Sequence, residues 1–238
     1  MIMQSVIRAI YPAQCVACEA LTEVEHGLCS GCWRDTWFIH GTCCDQCGTP
    51  LPGDGSDLRC DDCMVIARPW DRGRAAMVYK DVGRRLVLGL KHGDRLDLVP
   101  SVSGWMAHAG RDFLNDDSLL IPVPLHWTRL LRRRYNQAAD LAKGIAKLAC
   151  ADVLPDGLQR TRRTKALDGH TREDRFAALE SAISVNPRRK HLIADRHVVL
   201  IDDVMTSGAT LAACGDACLL SCAQSVCVLT LARVVKDA

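Results

Sequence analysis

Two groups of residues in this 238-residue sequence combine types and spacings that can do chemistry. The first is eight cysteines in four Cys-x-x-Cys turns: Cys15/Cys18, Cys29/Cys32, Cys44/Cys47 and Cys60/Cys63. Such a turn aims two thiolates at one point, and two turns complete the tetrahedral set that Zn²⁺ prefers. Eight ligands therefore predict two structural zinc ions. Sequential and interleaved pairing of the turns both remain open. Cys43 is a possible substitute for Cys44, although the two-residue spacing to Cys47 favours Cys44. Iron–sulfur ligation ranks lower, because hairpin-length segments between paired turns suit zinc ribbons better.

The second group lies in HVVLIDDVMTSGAT, residues 197–210. Branched apolar residues run into Asp202 and Asp203, and a loop of small and hydroxylated residues follows: Thr206, Ser207, Gly208, Ala209, Thr210. Exposed N–H groups at a helix start, with the helix dipole, form an anion site. Two carboxylates cannot cradle that same anion. They suit hydroxyl donors or a cation, so the string fits a sugar phosphate, with phosphate on the loop and vicinal hydroxyls on the acids. Neither GxxxxGK[ST] nor GxGxxG is present, which argues against the common nucleotide loops.

These residues need a scaffold. Strands are expected over 75–79, 118–123, 182–185, 197–201 and 225–235, and helices over 82–92, 96–114, 127–150 and 209–220. Residues 156–176 are polar and basic and read as a long mobile loop. Strands alternating with helices predict an α/β architecture with a mostly parallel sheet flanked by helices. It occupies residues 69–238, after an N-terminal double zinc ribbon over residues 1–68. Cys214, Cys218, Cys222, Cys150 and Cys227 are expected to pack as small core hydrophobes.

Fourteen cysteines, nine of them before residue 64, point to metal rather than disulfides in a reducing compartment. No leader pattern is evident at the start, and no apolar run approaches the ~20 residues that span a bilayer. The expected location is cytoplasmic. The formal charge is +2, yet residues 1–68 carry net −5 and the remainder +7. An acidic ribbon opposes nucleic-acid binding by that module alone, since phosphates need cations.

The 197–210 string resembles the phosphoribosyl-diphosphate (PRPP) motif of type I phosphoribosyltransferases. Pro122-Val123-Pro124-Leu125 and Arg134-Tyr135-Asn136-Gln137-Ala138 are similar to a second family segment. Residues 160–185 are similar to its basic loop and following strand, with departures at Leu167, Ala178, Ser181 and Ile183. Together with the cysteine pairs, the chain resembles the ComF family: a double zinc ribbon joined to a type I phosphoribosyltransferase-like domain and associated with DNA-uptake competence. That resemblance implies that Asp202 and Asp203 hold ribose hydroxyls and that 206–210 bind the 5′-phosphate, with Arg134 at the rim. It implies PRPP with Mg²⁺, displacement of pyrophosphate, and a basic lid from which Arg163, Lys165 and Arg175 meet the leaving group. His126 is a further acid–base candidate by position. Two functions follow: a transferase with an unidentified acceptor, or a PRPP-fold module whose ribbon contacts single-stranded DNA or a DNA-uptake protein.

Overall fold

The computed structural model describes residues 12–92, 95–126, 135–161 and 182–235. Five parallel strands form the central sheet: β1 (Arg72–Val78), β2 (Ser118–Pro122), β3 (Asp152–Val153), β6 (His197–Met205) and β7 (Ser225–Arg233). Their order is β1-β7-β6-β2-β3. The inner strands are buried along almost their whole length, as a sheet covered on both faces requires.

Alternate strand residues feed two cores. On one face, Leu120, Val199, Ile201 and Leu229 pack with helices α3 (Asp81–His92), α4 (Val99–Ala109) and α5 (Gln137–Ala149). Helix α3 brings Val82, Leu86, Val87 and Leu90 to that face, one apolar stripe at helical spacing. On the other face, Leu119, Ile121, Val198 and Val228 meet Leu211, Cys214 and Cys218 of α6 (Ala209–Leu219). A mostly parallel sheet flanked by helices, preceded by a zinc ribbon, is the expected architecture.

Several boundaries differ from the sequence reading. Strand β6 does not stop at residue 201; its ladder to β7 continues through Asp202↔Thr230, Val204↔Ala232 and Met205↔Arg233. The two acids are therefore strand residues. The helix expected over 96–114 is a short 3₁₀ turn, Leu96–Leu98, followed by α4, which ends at Gly110. Part of the expected 156–176 loop is a strand, β4 (Leu158–Arg160), paired antiparallel with β5 (Ile183–Val185). Cys214 and Cys218 are buried, whereas Cys222 lies beyond α6 and is exposed. Cys150 is also exposed, because it forms the left-handed cap of α5, and Cys227 is half-buried.

Among the described residues the ribbon carries two short helices, α1 (Ser30–Arg34) and α2 (Asp61–Val65). It seats itself on the outer edge of β1. Val78 N–H donates to the Trp37 carbonyl at 2.8 Å, and Ile39 N–H to that of Ala76 at 3.0 Å. A sheet edge left open would template association, and here the chain covers its own.

Candidate functional site

Four sulfurs gather at each of two places: Cys15, Cys18, Cys29 and Cys32, and separately Cys44, Cys47, Cys60 and Cys63. Pairing of the turns is thus sequential in space, and Cys43 belongs to neither set. Within each set all ligand atoms lie within 4.8 Å of one another. Cys18 and Cys29 are 3.7 Å apart at sulfur, and Cys47 and Cys60 are 3.5 Å apart. A tetrahedral zinc with 2.3 Å bonds needs about 3.8 Å between sulfurs, close to the Cys18–Cys29 and Cys47–Cys60 separations. Cys29 and Cys60 each occupy the position before a short helix, which turns the second sulfur of the pair toward the first. These are two structural zinc sites.

The other constellation sits at the carboxyl ends of β2, β6 and β7, the edge at which open parallel sheets bind ligands. Asp203 is buried, and both of its oxygens are engaged: Lys91 Nζ stands 3.0 Å from Oδ1, and Gln137 Nε2 donates to Oδ2 at 3.0 Å. Asp202 points to the opposite face, as the strand pleat dictates, and its Oδ1 accepts from the Asp203 N–H at 2.9 Å. Burial, and after it the charge of Asp203, push the Asp202 carboxyl up to about 7. Lys91, the Asp203 N–H and Arg160 pull the other way.

The chain then turns through 206–208 into α6. Gly208 has φ +80 and is the residue before the helix, where it has no side chain of its own to cap the first turn. Ser207 Oγ accepts from Ala209 N–H at 3.4 Å. Thr206 is exposed, Ser207 and Thr210 are half-buried, and Gly208 and Ala209 are buried. The carboxylates and the N–H and hydroxyl groups of the loop thus lie along one strand-to-helix connection, within residues 202–210.

Beneath the loop lie two buried arginines. Arg68 Nη1 donates to the Ser207 carbonyl at 2.7 Å, and Arg233 Nη1 to those of Met205 at 3.1 Å and Thr206 at 2.7 Å. Arg233 Nη2 is 3.9 Å from Cys47 Sγ. Hydrogen bonds from Cys44 and Cys63 chiefly hold the Cys47 thiol low, and Arg233 adds to this. The Cys63 thiol is pushed up by Cys44 and Cys47 and by burial, with Arg68 opposing.

Of the expected site residues, the structure brings Asp202, Asp203 and 206–210 to one edge. Arg134, Arg163, Lys165 and Arg175 lie outside the described residues. His126 follows β2 near this edge and is buried. Lys91, Arg68 and Arg233 were missed. Lys91 looks like the solvated end of an amphipathic helix, and the two arginines sit in ordinary apolar contexts. Gln137 was visible, since it belongs to the matched 134–138 segment, but nothing in the sequence gave it a role.

Comparisons with known proteins fit this picture. The double zinc ribbon domain matches residues 6–64. DNA utilization protein YhgH of Escherichia coli K12 is 30% identical over 231 residues, covering 94% of this chain and 98% of that protein. YhgH of Shigella flexneri is also 30% identical over the same share. Competence protein F of Haemophilus influenzae is 28% identical over 204 residues, 83% of this chain and 87% of that one. With the ribbon, the parallel sheet and similarity over most of the chain all in agreement, the chain belongs to the ComF family, which includes competence protein F and DNA utilization protein YhgH.

Proposed function

We propose that the chain binds PRPP or a related ribose phosphate at the 202–210 edge and transfers its phosphoribosyl group to an acceptor, serving DNA utilisation as its relatives' names indicate. One juxtaposition carries the reading. Paired acids at the end of a parallel strand are followed, five residues on, by the left-handed glycine that opens a helix. In this reading the 206–210 N–H and hydroxyl groups take the 5′-phosphate and the acids take the vicinal hydroxyls. Asp203 is held in orientation by Lys91 and Gln137, while Asp202 accepts once it is ionised.

The transfer breaks the bond from the anomeric carbon to pyrophosphate, which leaves with the electron pair, and forms a bond from that carbon to the acceptor. No protein nucleophile is required. Mg²⁺ travelling with PRPP would neutralise charge on the departing pyrophosphate. Arg163, Lys165 and Arg175, with Arg134 at the rim, are the proposed side-chain partners of the same group. The antiparallel pair β4–β5 supports this, because it brackets the basic segment in sequence and its second strand, β5, packs beside α6.

A second reading keeps ligand binding without catalysis and gives the ribbon a partner, a DNA-uptake protein or single-stranded DNA. Trp33 and Trp37 favour it: both are more than half exposed, an unusual placement for large aromatic rings. The test is direct. Millimolar PRPP with Mg²⁺ should raise the melting temperature by several degrees, and Asp202→Asn with Asp203→Asn should remove the shift. An unmoved melting curve in the unsubstituted protein refutes ligand binding. Pyrophosphate release on adding bases, nucleosides or single-stranded DNA identifies a transferase; silence across all three, with binding intact, favours the partner-binding module.

A further inference from the structure

The second zinc site and the anion loop share two buried cations. Arg68 is 7% exposed and Arg233 4%. Among the described residues, neither has a carboxylate within ion-pair distance. A buried guanidinium without a counter-charge is strongly unfavourable. The counter-charge on the page is the 44–63 thiolate set: a zinc ion with four thiolates carries a formal −2, which two arginines balance. Arg233 reaches that set through Cys47 and reaches the loop through the carbonyls of Met205 and Thr206. Among the described residues its Nε, like the Nε and Nη2 of Arg68, has no hydrogen-bond partner, so its placement is set by charge and by the carbonyls it already holds.

Arg68 makes the parallel connection. Its guanidinium stands 5.4 Å from the centre of the Trp70 ring, and Trp70 Nε1 donates at 2.5 Å to the carbonyl of Gln46, inside the Cys44–Cys47 turn. The other end of Arg68 holds Ser207 and lies under Gly208: a Cβ on that glycine would be 2.8 Å from Nη1. The loop's left-handed turn therefore rests directly on this side chain.

We propose that Arg68 and Arg233 are positioning residues that couple the second zinc site to the anion loop, so that metal bound at Cys44, Cys47, Cys60 and Cys63 and anion bound at 206–210 stabilise one another. Such coupling is reciprocal by thermodynamic necessity. The first zinc site, formed by Cys15 to Cys32, has no comparable bridge to the loop among the described residues and serves as an internal control. The inference rests on the ribose-phosphate reading for its ligand and on the structure alone for its arginines.

The test follows zinc transfer from the full-length, zinc-loaded protein to a coloured chelator, with and without millimolar PRPP and Mg²⁺. PRPP should slow the loss of one zinc equivalent several-fold and leave the other unchanged. Arg68→Met and Arg233→Met should each speed the loss of one equivalent without any ligand, and cancel the effect of PRPP. Arg68→Lys keeps the charge but not the planar fork, so it should restore the ligand-free rate and not the PRPP effect. Equal slowing of both equivalents, or ligand-free release from the Met variants at the unsubstituted rate, overturns the coupling. Should a Met variant fail to fold, Arg68→Lys decides: an undiminished PRPP effect there is equally fatal. Calorimetry separates the two ideas. No heat on adding PRPP sinks the ligand reading, while the ligand-free release rates still judge the arginines.

Discussion

Asp203 has both oxygens engaged by Lys91 and Gln137, whereas Asp202, its neighbour in sequence, is held by a backbone N–H and titrates near neutrality. The difference makes a prediction with a definite sign. The ordinary carboxyl value is 3.8, and in the folded protein Asp202 is raised to about 7. Between those values the folded state keeps a proton that the unfolded chain has released, so this residue lowers stability as pH rises from about 4 to 7. Asp202→Asn should therefore be more stable than the unsubstituted protein at pH 8, by on the order of 1–3 kcal/mol, and the gain should vanish toward pH 4. Denaturant melts at both pH values check this; a constant difference would place the cause elsewhere. Ligand affinity should run the opposite way, tightening as pH passes through 7 because an ionised Asp202 accepts hydroxyl hydrogen bonds. The acids themselves were legible in the sequence from their place before a small-residue loop. Their unequal environments were not, since Lys91 and Gln137 arrive from helices far away in the chain.

At the scale of elements, residue 208 shows why a turn can be recognised from sequence while its support cannot. TSGAT after an apolar run reads as a strand-to-helix turn, and the structure has one, with Gly208 at φ +80. What lies under it, Arg68, 139 residues before its partner Ser207, and the ring of Trp70, leaves no periodic trace. Gly208→Ala should cost about 1–2 kcal/mol for the left-handed backbone alone. It must also displace Arg68 from Ser207, so PRPP affinity should fall at least tenfold while both zinc ions are retained. Calorimetry and metal analysis on one sample test both halves, and unaltered affinity would show that the loop does not depend on this geometry. The strand boundary at 201 was misread for a related reason. Two charges look like the end of a strand, yet Asp202 and Val204 pair with Thr230 and Ala232 because β7 runs equally far beside them.

The whole molecule raises the question of whether residues 1–68 and 69–238 are separable. Composition divides them sharply, acidic and cysteine-rich against basic and periodic. Packing does not. Cys15, Val16 and Cys32 join the core on the α3–α4–α5 face, and Cys44, Cys47 and Cys63 join the one on the α6 face. The ribbon thus straddles the β1 edge, one zinc site on each side of the sheet. Contact is close enough that a Cβ on Gly73 of β1 would collide with the Gln46 carbonyl, and Gly73 N–H donates to the Asp45 carbonyl at 2.7 Å. A short ribbon has little core of its own and relies on metal for folding. Here it also closes an edge strand and covers both apolar faces next to it, so the sheet relies on the ribbon in turn. We propose that the two parts unfold as one unit. Removing zinc with a strong chelator should then lower the melting temperature of the sheet's far-ultraviolet signal by ten degrees or more, in a single transition. Residues 69–238 expressed alone should bind a hydrophobic dye and aggregate, because β1 and its flanking cores are laid bare. A soluble, cooperatively melting 69–238 fragment would show that the boundary drawn by composition is also a boundary in stability.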